Sequence, residues 1–355
     1  MAFIHFPAEW APQSAVQLTW PHKGTDWADN LEEVLPCFIE LAKAILERQD
    51  LIVVCTDPAE VRTQLGVIDE SRLHLVKLPS NDTWARDHAA ISVFSDDKPF
   101  LLDFTFNGWG KKFMADLDNQ ISQGLFEAGL FAPTVTFKDE QDFVLEGGSI
   151  ESDGQGTLLT TAQCLMAPRR NQPMDEADIE ARLKTSLGVD RVLWLRDGYL
   201  AGDDTDGHID MLARFCDPST IAYVAPPTWE DEHQAALIAM ETSLKAFTTK
   251  EGQPYRLIPL PMATPVYEGD ERLPASYANF LIINGAVLLP VYGLPTDEAA
   301  INQLQIAFPD RAIVPIPCSP LIKQHGSLHC LTMQYPEGFL ESYEGHPPGQ
   351  PSAQQ

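Results

Sequence analysis

Basic residues are scarce in this chain. Its 355 residues include 24 lysines and arginines against 51 aspartates and glutamates, which gives a net charge of −27. Nucleic acids and anionic membranes are bound through clustered lysine and arginine, so neither is expected as a partner. A negative surface keeps a protein dispersed in water, and it also attracts a small cationic substrate. Charge alone leaves both explanations open.

Long apolar runs and paired cysteines are also missing. No segment approaches the ~20 apolar residues of a membrane span, and the opening Met-Ala-Phe-Ile-His-Phe-Pro lacks the basic start and apolar stretch of a signal peptide. The six cysteines include no Cys-x-x-Cys pair, so neither a zinc site nor a redox motif is indicated. Cys37, Cys55 and Cys164 have apolar neighbours and are interpreted as buried core thiols. We therefore expect a protein of the reducing cytoplasm.

What the chain has instead is a repeated order of elements. Apolar periodicity predicts the series strand, strand, helix, strand four times between residues 91 and 316. A fifth copy is predicted to be split between the chain ends. A strand at 328–333 would pair with a strand at 16–20, followed by a helix over 28–48 and a strand at 51–55. Joining the ends in this way closes a ring and leaves no free sheet edge.

The expected fold is therefore α/β, a five-bladed pseudo-symmetric propeller of ββαβ modules. Residues 1–336 are predicted to form a single catalytic domain. Residues 337–355 have little hydrophobic periodicity and several prolines, which predicts a mobile tail. An ordinary α/β sandwich is the alternative arrangement of alternating strands and helices.

Reactive side chains recur at the start of successive predicted strands. They are Asp87, Glu146, His208, Asp210 and Cys330. The first three are separated by 59 and 62 residues, and Cys330 follows His208 after 122, close to two such steps. His208 and Asp210 are two residues apart, so a strand would place both on one face. Cys330 is predicted to lie inside the strand at 328–333, near a polar loop. In a ring of modules, this recurrence would bring all five to one axis.

A thiol, an imidazole and several carboxylates at one point suit a planar cation. Carboxylates hold a guanidinium by paired hydrogen bonds, a thiolate attacks its central carbon, and histidine protonates the departing ammonia before activating water. A protease would need an oxyanion hole, which carboxylates oppose. A His-x-Asp pair can bind a metal, but no second histidine lies at ligand spacing, so neither metal nor cofactor is expected. Because a lone cysteine is more often a core residue, the hypothesis depends on the whole set.

Short motifs along the chain carry a family resemblance. They are Pro7-Ala8-Glu9-Trp10, Trp20-Pro21-His22, Trp84-Ala85-Arg86-Asp87, Phe106-Asn107-Gly108-Trp109-Gly110, Glu146-Gly147-Gly148-Ser149, Gly207-His208-Ile209-Asp210, Ala275-Ser276-Tyr277-Ala278-Asn279-Phe280 and His329-Cys330. In this order, over about residues 7–336, the chain resembles the agmatine deiminases and bacterial peptidylarginine deiminases of the guanidino-modifying pentein superfamily. The resemblance implies a five-bladed α/β propeller without cofactor or metal, which assembles as dimers or larger oligomers.

The resemblance also implies roles for individual residues. Cys330 would be the nucleophile that forms an amidino-cysteine intermediate, and His208 would be the general acid and base. Asp87 and Asp210 would clamp the guanidinium, with Glu146 assisting. Agmatine deiminases convert agmatine to N-carbamoylputrescine and ammonia, a reaction of putrescine biosynthesis in polyamine metabolism.

The substrate is less well defined than the chemistry. Asp204 and Asp206, with Asp203 beside them, could receive the distal ammonium of agmatine, and Trp84 and Trp109 could either wall an aliphatic slot or simply pack. Arginine would need a cation for its carboxylate, and no pair of arginines is obviously devoted to it.

The chain departs from the agmatine deiminases around the pocket. Their glycine run and Asn-Ile-His-Cys are replaced by residues 325–330, and Met211 and Met333 stand where polar residues are common. A deiminase of arginine or peptidyl-arginine, an amidinotransferase and a non-catalytic binding propeller are therefore kept as alternatives. The roles of Arg86, Asn279 and His329 are left open.

Overall fold

Five sheets with one recurring strand pattern account for most of the computed structural model, which describes residues 3–341. The strands are β1 (Ile4–His5), β2 (Gln13–Thr19), β3 (Asp50–Cys55), β4 (Leu73–Lys77), β5 (Ile91–Ser95), β6 (Lys98–Thr105), β7 (Thr136–Val144), β8 (Ile150–Ser152), β9 (Thr157–Thr161), β10 (Arg191–Leu195), β11 (Ala213–Asp217), β12 (Thr220–Val224), β13 (Arg256–Leu260), β14 (Val266–Glu268), β15 (Glu271–Leu273), β16 (Leu281–Ile283), β17 (Ala286–Val291), β18 (Ala312–Pro317) and β19 (Thr332–Pro336).

Helices lie between the strands, and most of them connect two strands of the same sheet. They are α1 (Leu31–Leu46), α2 (Pro58–Leu65), α3 (Ala85–His88), α4 (Gly108–Lys111), α5 (Ile121–Glu127), α6 (Ala162–Leu165), α7 (Glu176–Leu187), α8 (Gln234–Ala246) and α9 (Asp297–Ala307). None of those between residues 3 and 341 combines the length and apolar character that crossing a membrane requires.

Each of the five sheets begins with an antiparallel pair and adds a parallel strand. The pattern occurs in β19-β2-β3, β5-β6-β7, β8-β9-β10, β11-β12-β13 and β16-β17-β18. A helix lies between the second and third strand each time, because a parallel connection needs a crossover. The predicted ββαβ order is therefore confirmed.

The two ends of the chain share one sheet. β19 pairs antiparallel with β2, so that Thr332 lies opposite Leu18 and Tyr335 lies opposite Ala15. β2 then pairs in parallel with β3 after the crossover through α1. This pairing confirms the predicted split module, although its first strand begins at Thr332 rather than at residue 328.

Local signals explain where the elements begin and end. Asp175 and Asp178 form a reciprocal capping box at the start of α7, and Gly188 ends the helix in the left-handed conformation with φ of 69°. Strands β9 and β12, which lie second in their sheets, are buried at every residue, as expected for strands covered on both faces. The hairpin β14-β15 was not predicted.

Buried apolar side chains form one large cluster and two smaller ones. Phe339 is fully buried and contacts Phe94 and Tyr335, so packing continues beyond residue 336. The remainder of the predicted tail, residues 342–355, lies outside the described residues.

Candidate active site

Four short helical turns carry the predicted reactive residues. Asp87 lies in α3, Asp210 lies in the turn Ile209–Met211 and Cys330 lies in the turn His329–Leu331. Glu146 and His208 occupy the positions just before a turn. Each turn leads into the first strand of a sheet, namely β5, β8, β11 or β19. The prediction that Cys330 lies inside a strand was therefore wrong, whereas His208 and Asp210 do precede a strand, as expected.

The turns bring these side chains together in the interior. Cys330 Sγ lies 3.8 Å from Asp210 Oδ2, and His208 Nδ1 lies 3.6 Å from Asp87 Oδ1. A Cβ placed on Gly148 would stand 2.6 Å from His208 Nδ1, 2.9 Å from Asp87 Oδ1 and 3.1 Å from Asp210 Oδ2. A glycine is needed here because three reactive groups converge on its backbone.

Asn279 braces the turn that holds the cysteine. Its Oδ1 accepts hydrogen bonds from the backbone N–H of His329 at 2.9 Å and of Cys330 at 3.3 Å. The Cys330 thiol donates to the same oxygen at 3.4 Å. Asn279 therefore fixes the position of the thiol, a role that its place in the sequence did not reveal.

Burial and charge shift the ionisable groups in opposite directions. Burial, with Asp210 and Glu146 nearby, raises the pKa of Asp87 to about 6 despite the opposing effect of His208. Burial also raises the pKa of the Cys330 thiol well above its ordinary value, and Asp210 and Asp87 add to the effect. Burial by itself would lower the pKa of His208, but Asp87, Cys164 and Glu146 outweigh it and raise that pKa well above the ordinary value. These shifts favour a neutral Cys330 thiol and a protonated His208 imidazole.

Arg170 joins Glu146 to the rim of the site. Its Nε lies 3.1 Å from Glu146 Oε1, and its Nη1 donates to Asp206 Oδ2 at 2.7 Å. Lys112 Nζ lies 2.9 Å from the other oxygen of Asp206. Sequence reasoning missed Arg170, and its only signal was a pair of arginines at 169–170 in an acidic chain.

The remaining predicted binding residues have different surroundings. Trp109 donates its indole N–H to Asp87 Oδ2 at 3.0 Å, which places it at the site. Trp84 is buried, donates to Asp82, and lies so close to Gly326 that a Cβ there would be 2.4 Å from the indole. Asp204 forms no ion pair among residues 3–341, and burial and Asp203 raise its pKa to about 6 against the effect of His325.

Within residues 3–341, two groups of three side chains have ligand atoms close enough together to hold a cation. Glu146, Cys164 and His208 each offer one ligand atom within 4.8 Å of the others, and so do Glu9, Glu151 and His329. Arginine already occupies both, because Arg170 pairs with Glu146 and Arg214 pairs with Glu9 and Glu151. Cys164, interpreted from the sequence as a core thiol, is indeed buried but lies beside His208.

A buried cysteine, a histidine and carboxylates on an α/β scaffold are residue types that could serve hydrolysis of a cationic C–N compound. The profile of the Porphyromonas-type peptidyl-arginine deiminases matches residues 5–336. The chain belongs to this family, and it is a hydrolase acting on the C–N bonds of linear amidines.

Similar proteins carry related names. The agmatine deiminase of Stutzerimonas stutzeri (strain A1501) is 32% identical over 363 residues, which cover 95% of this chain and 96% of that protein. A putative arginine deiminase structure from Porphyromonas gingivalis is 56% identical with a TM-score of 0.92, covering 95% of this chain and all of that one. A cysteine-to-serine C. jejuni agmatine deiminase with substrate bound is 36% identical with a TM-score of 0.89, covering 95% and 98%. The chain therefore shares its α/β fold with enzymes of this group.

Proposed function

We propose that the chain hydrolyses agmatine to N-carbamoylputrescine and ammonia through a covalent amidino-cysteine. The observation that carries the proposal is the buried Cys330 thiol beside Asp210, in a pocket shared with Asp87 and His208. Oδ1 of Asp210 lacks a hydrogen-bond partner within residues 3–341, and so do the ring nitrogens of His208 apart from the Cys164 thiol beside them. Buried polar atoms are normally paired, so their lack of partners indicates a polar ligand. A guanidinium would satisfy carboxylate acceptors on its N–H edges.

The bound cation would prepare the nucleophile. The negative charges of Asp87 and Asp210 oppose ionisation of Cys330, and a guanidinium between them would cancel much of that effect. The thiol proton would pass to solvent or to a group of the pocket as the substrate enters. The thiolate would then attack the central guanidinium carbon.

His208 would act as the general acid in the first half of the reaction and as the general base in the second. Its imidazolium gives a proton to the departing nitrogen, which leaves as ammonia while Cys330 keeps the amidino carbon. The neutral imidazole then takes a proton from water, whose oxygen attacks that carbon. The carbon–sulfur bond breaks, which restores the thiolate, and the remaining hydroxyl proton passes to ammonia or solvent as the carbamoyl product leaves.

Agmatine is favoured by the acidic rim and by the names of the relatives. Asp204 has no ion-pair partner in the described chain and could receive the distal ammonium. Asp206 is a weaker candidate, because Arg170 and Lys112 already neutralise it. Trp109 would hold Asp87 in place through its indole N–H. Trp84, which packs against Gly326, would form a wall of the slot for the aliphatic part of agmatine.

Three broader expectations belong to the same proposal. The five sheets of like pattern would be blades around one axis, in a single catalytic domain that closes through β19 and β2. Oligomers of two or more chains and a cytoplasmic location stay predictions.

Ammonia release from agmatine, with mass analysis of the product, tests the function. The native chain should yield N-carbamoylputrescine, and Cys330→Ala should yield none. Cys216→Ala is the matched control, because Cys216 is equally buried but lies in β11 outside the pocket, and it should retain turnover. Acid quenching during turnover should trap the amidino adduct on Cys330.

Other outcomes would point to the alternatives. If the protein releases no ammonia from agmatine but releases it from arginine, or from a peptide ending in arginine, only the substrate assignment is overturned. Amidino transfer to an added primary amine would identify an amidinotransferase. If no guanidino compound reacts and no adduct forms, the catalytic proposal itself is wrong.

A further inference from the structure

His329, the residue before the nucleophile, lies between two carboxylates. Its Nδ1 is 2.8 Å from Asp210 Oδ2, and its Nε2 is 2.7 Å from Glu9 Oε2. All three side chains are buried. The chain of contacts therefore runs from the protein interior at Glu9, through His329, to the carboxylate beside the Cys330 thiol.

The geometry determines the protonation of His329. An ionised carboxylate can only accept hydrogen bonds, whereas a neutral imidazole has one N–H donor and one acceptor nitrogen. Both contacts are satisfied at once only if both ring nitrogens carry protons. Glu9 also accepts from Arg214 Nη2 at 2.9 Å and from the backbone N–H of Ile282 at 2.7 Å, as an ionised carboxylate would.

The titration behaviour of both carboxylates agrees with this geometry. Burial would raise the pKa of Asp210, but the hydrogen bond and charge of His329 hold it below its ordinary value. For Glu9 burial is likewise outweighed by Arg214 and His329, and its pKa is lowered. Asp87, which has no such partner, is shifted in the opposite direction.

The contact with His329 also gives the two oxygens of Asp210 different roles. Oδ2 accepts from His329, while Oδ1 has no hydrogen-bond partner in the described part of the chain. A carboxylate anchored through one oxygen cannot rotate without breaking that bond. The other oxygen is then held ready for a ligand.

We propose that His329 is a positioning residue: its two ring nitrogens donate hydrogen bonds to Glu9 and to Asp210, which fixes one oxygen of Asp210 and orients the other for the guanidinium. Only the kinetic consequence of this role rests on the proposed function. The charged groups facing this chain of contacts are Glu9, Arg86, Asp87, Glu151, His208, Asp210 and Arg214.

Nuclear magnetic resonance tests the charge without any substrate. Two-bond proton–nitrogen spectra of the histidine-labelled protein distinguish an imidazolium from either neutral tautomer. We expect both ring nitrogens of His329 to carry protons in the folded protein, because each of them faces a carboxylate oxygen. Its signals are assigned from their loss in His329→Asn, or from their shift in Glu9→Gln if that variant does not fold. A ring with one unprotonated nitrogen in the folded protein would overturn the proposal.

Kinetics test the consequence for Asp210. In His329→Asn the amide can still donate one hydrogen bond, but the second hydrogen-bonding ring nitrogen is gone, so the pKa of Asp210 should rise. Asp210 would then lose its charge in the same pH range as Asp87, and both must be ionised for binding. The acid limb of kcat/KM should therefore become steeper and move to higher pH. Glu9→Gln should move it in the same direction by less. His74→Asn, which removes the ion pair with Asp50 outside the pocket, should leave the profile unchanged.

The possible failures can be told apart. An unaltered limb in His329→Asn, with activity lowered equally at every pH, would mean that His329 only supports the fold and would overturn the proposal. If the native protein turns over no guanidino compound, the proposed function fails, while the resonance experiment still decides the charge of His329.

Discussion

Two buried carboxylates in the same pocket are shifted in opposite directions. Asp87 accepts from neutral donors, the indole of Trp109 and the backbone of Gly148, so burial prevails and its pKa rises to about 6. Asp210 accepts from the imidazole of His329, and its pKa falls below the ordinary value. The identity of the hydrogen-bond donor therefore decides the charge state of each group.

The raised pKa of Asp87 predicts a pH limit for the reaction. The carboxylate must be ionised to hold a guanidinium, so kcat/KM should fall about tenfold for each pH unit below about 6. Butylguanidine, which lacks the distal ammonium, should show the same limb and so excludes Asp204 as its cause. Asp103→Asn is the control, because Asp103 has a similarly raised pKa of about 6 but lies in β6 outside the pocket. A profile that stays flat to about pH 4.5 would contradict the assignment.

Short turns, rather than the strands themselves, present the reactive groups. A side chain inside a strand is directed by the alternation of the two faces, and its neighbours are set by the sheet. A turn before the strand frees the backbone to aim several residues at one point, while the strand anchors it. Gly147–Ser149 illustrates the packing limit, since a Cβ on Gly147 would lie 2.1 Å from the backbone oxygen of Arg86.

Gly148→Ala should damage the site more than the fold. The new methyl would stand 2.6 Å from His208 Nδ1, so the histidine or the two aspartates must move. Displacement of catalytic groups by about 1 Å costs on the order of 100-fold in rate, and we expect at least that loss of kcat/KM. The control is Gly124→Ala in α5, whose methyl would meet only the Leu78 side chain at 2.9 Å and should leave turnover intact. Equal activity of the two variants would refute the argument.

Buried ion pairs connect separate parts of the whole molecule. Arg214 in β11 pairs with Glu9 near the N-terminus and with Glu151 in β8, and it donates to the carbonyl of Ala278 at 3.2 Å. Its guanidinium also stacks over the Phe280 ring at 4.7 Å from the centroid. Residues far apart in the chain are therefore held around one buried cation.

Arg214→Met should unfold more easily than the native protein. Glu9 and Glu151 would be left buried with one charge fewer to offset them, and breaking such a pair typically costs about 3–5 kcal/mol. Arg196→Met removes an exposed pair with Glu176 and should leave the free energy of unfolding nearly unchanged. Urea unfolding of both variants measures the difference. Equal effects of the two substitutions would show that the buried network does not stabilise the fold.

Local patterns were sufficient for the order of elements. Period-two and helical spacing located β9, β10 and α9 closely, because each element is long enough to bury one apolar face. The pairing of the two chain ends also followed from the pattern, since the incomplete module at each end lacked what the other supplied. The hairpin β14-β15 is too short and too exposed to leave such a signal.

The sequence by itself determined the repeated ββαβ order and the residue types that reach the site, because both are properties of neighbouring residues. Only the tertiary structure decided that Cys330 lies in a turn, that Arg170 neutralises Glu146 and that His329 lies between Asp210 and Glu9. Glu9 and His329 are separated by 320 residues, and Glu146 and Arg170 belong to different segments. Charge states in a buried site depend on such distances and on the loss of water, and neither is encoded in local spacing.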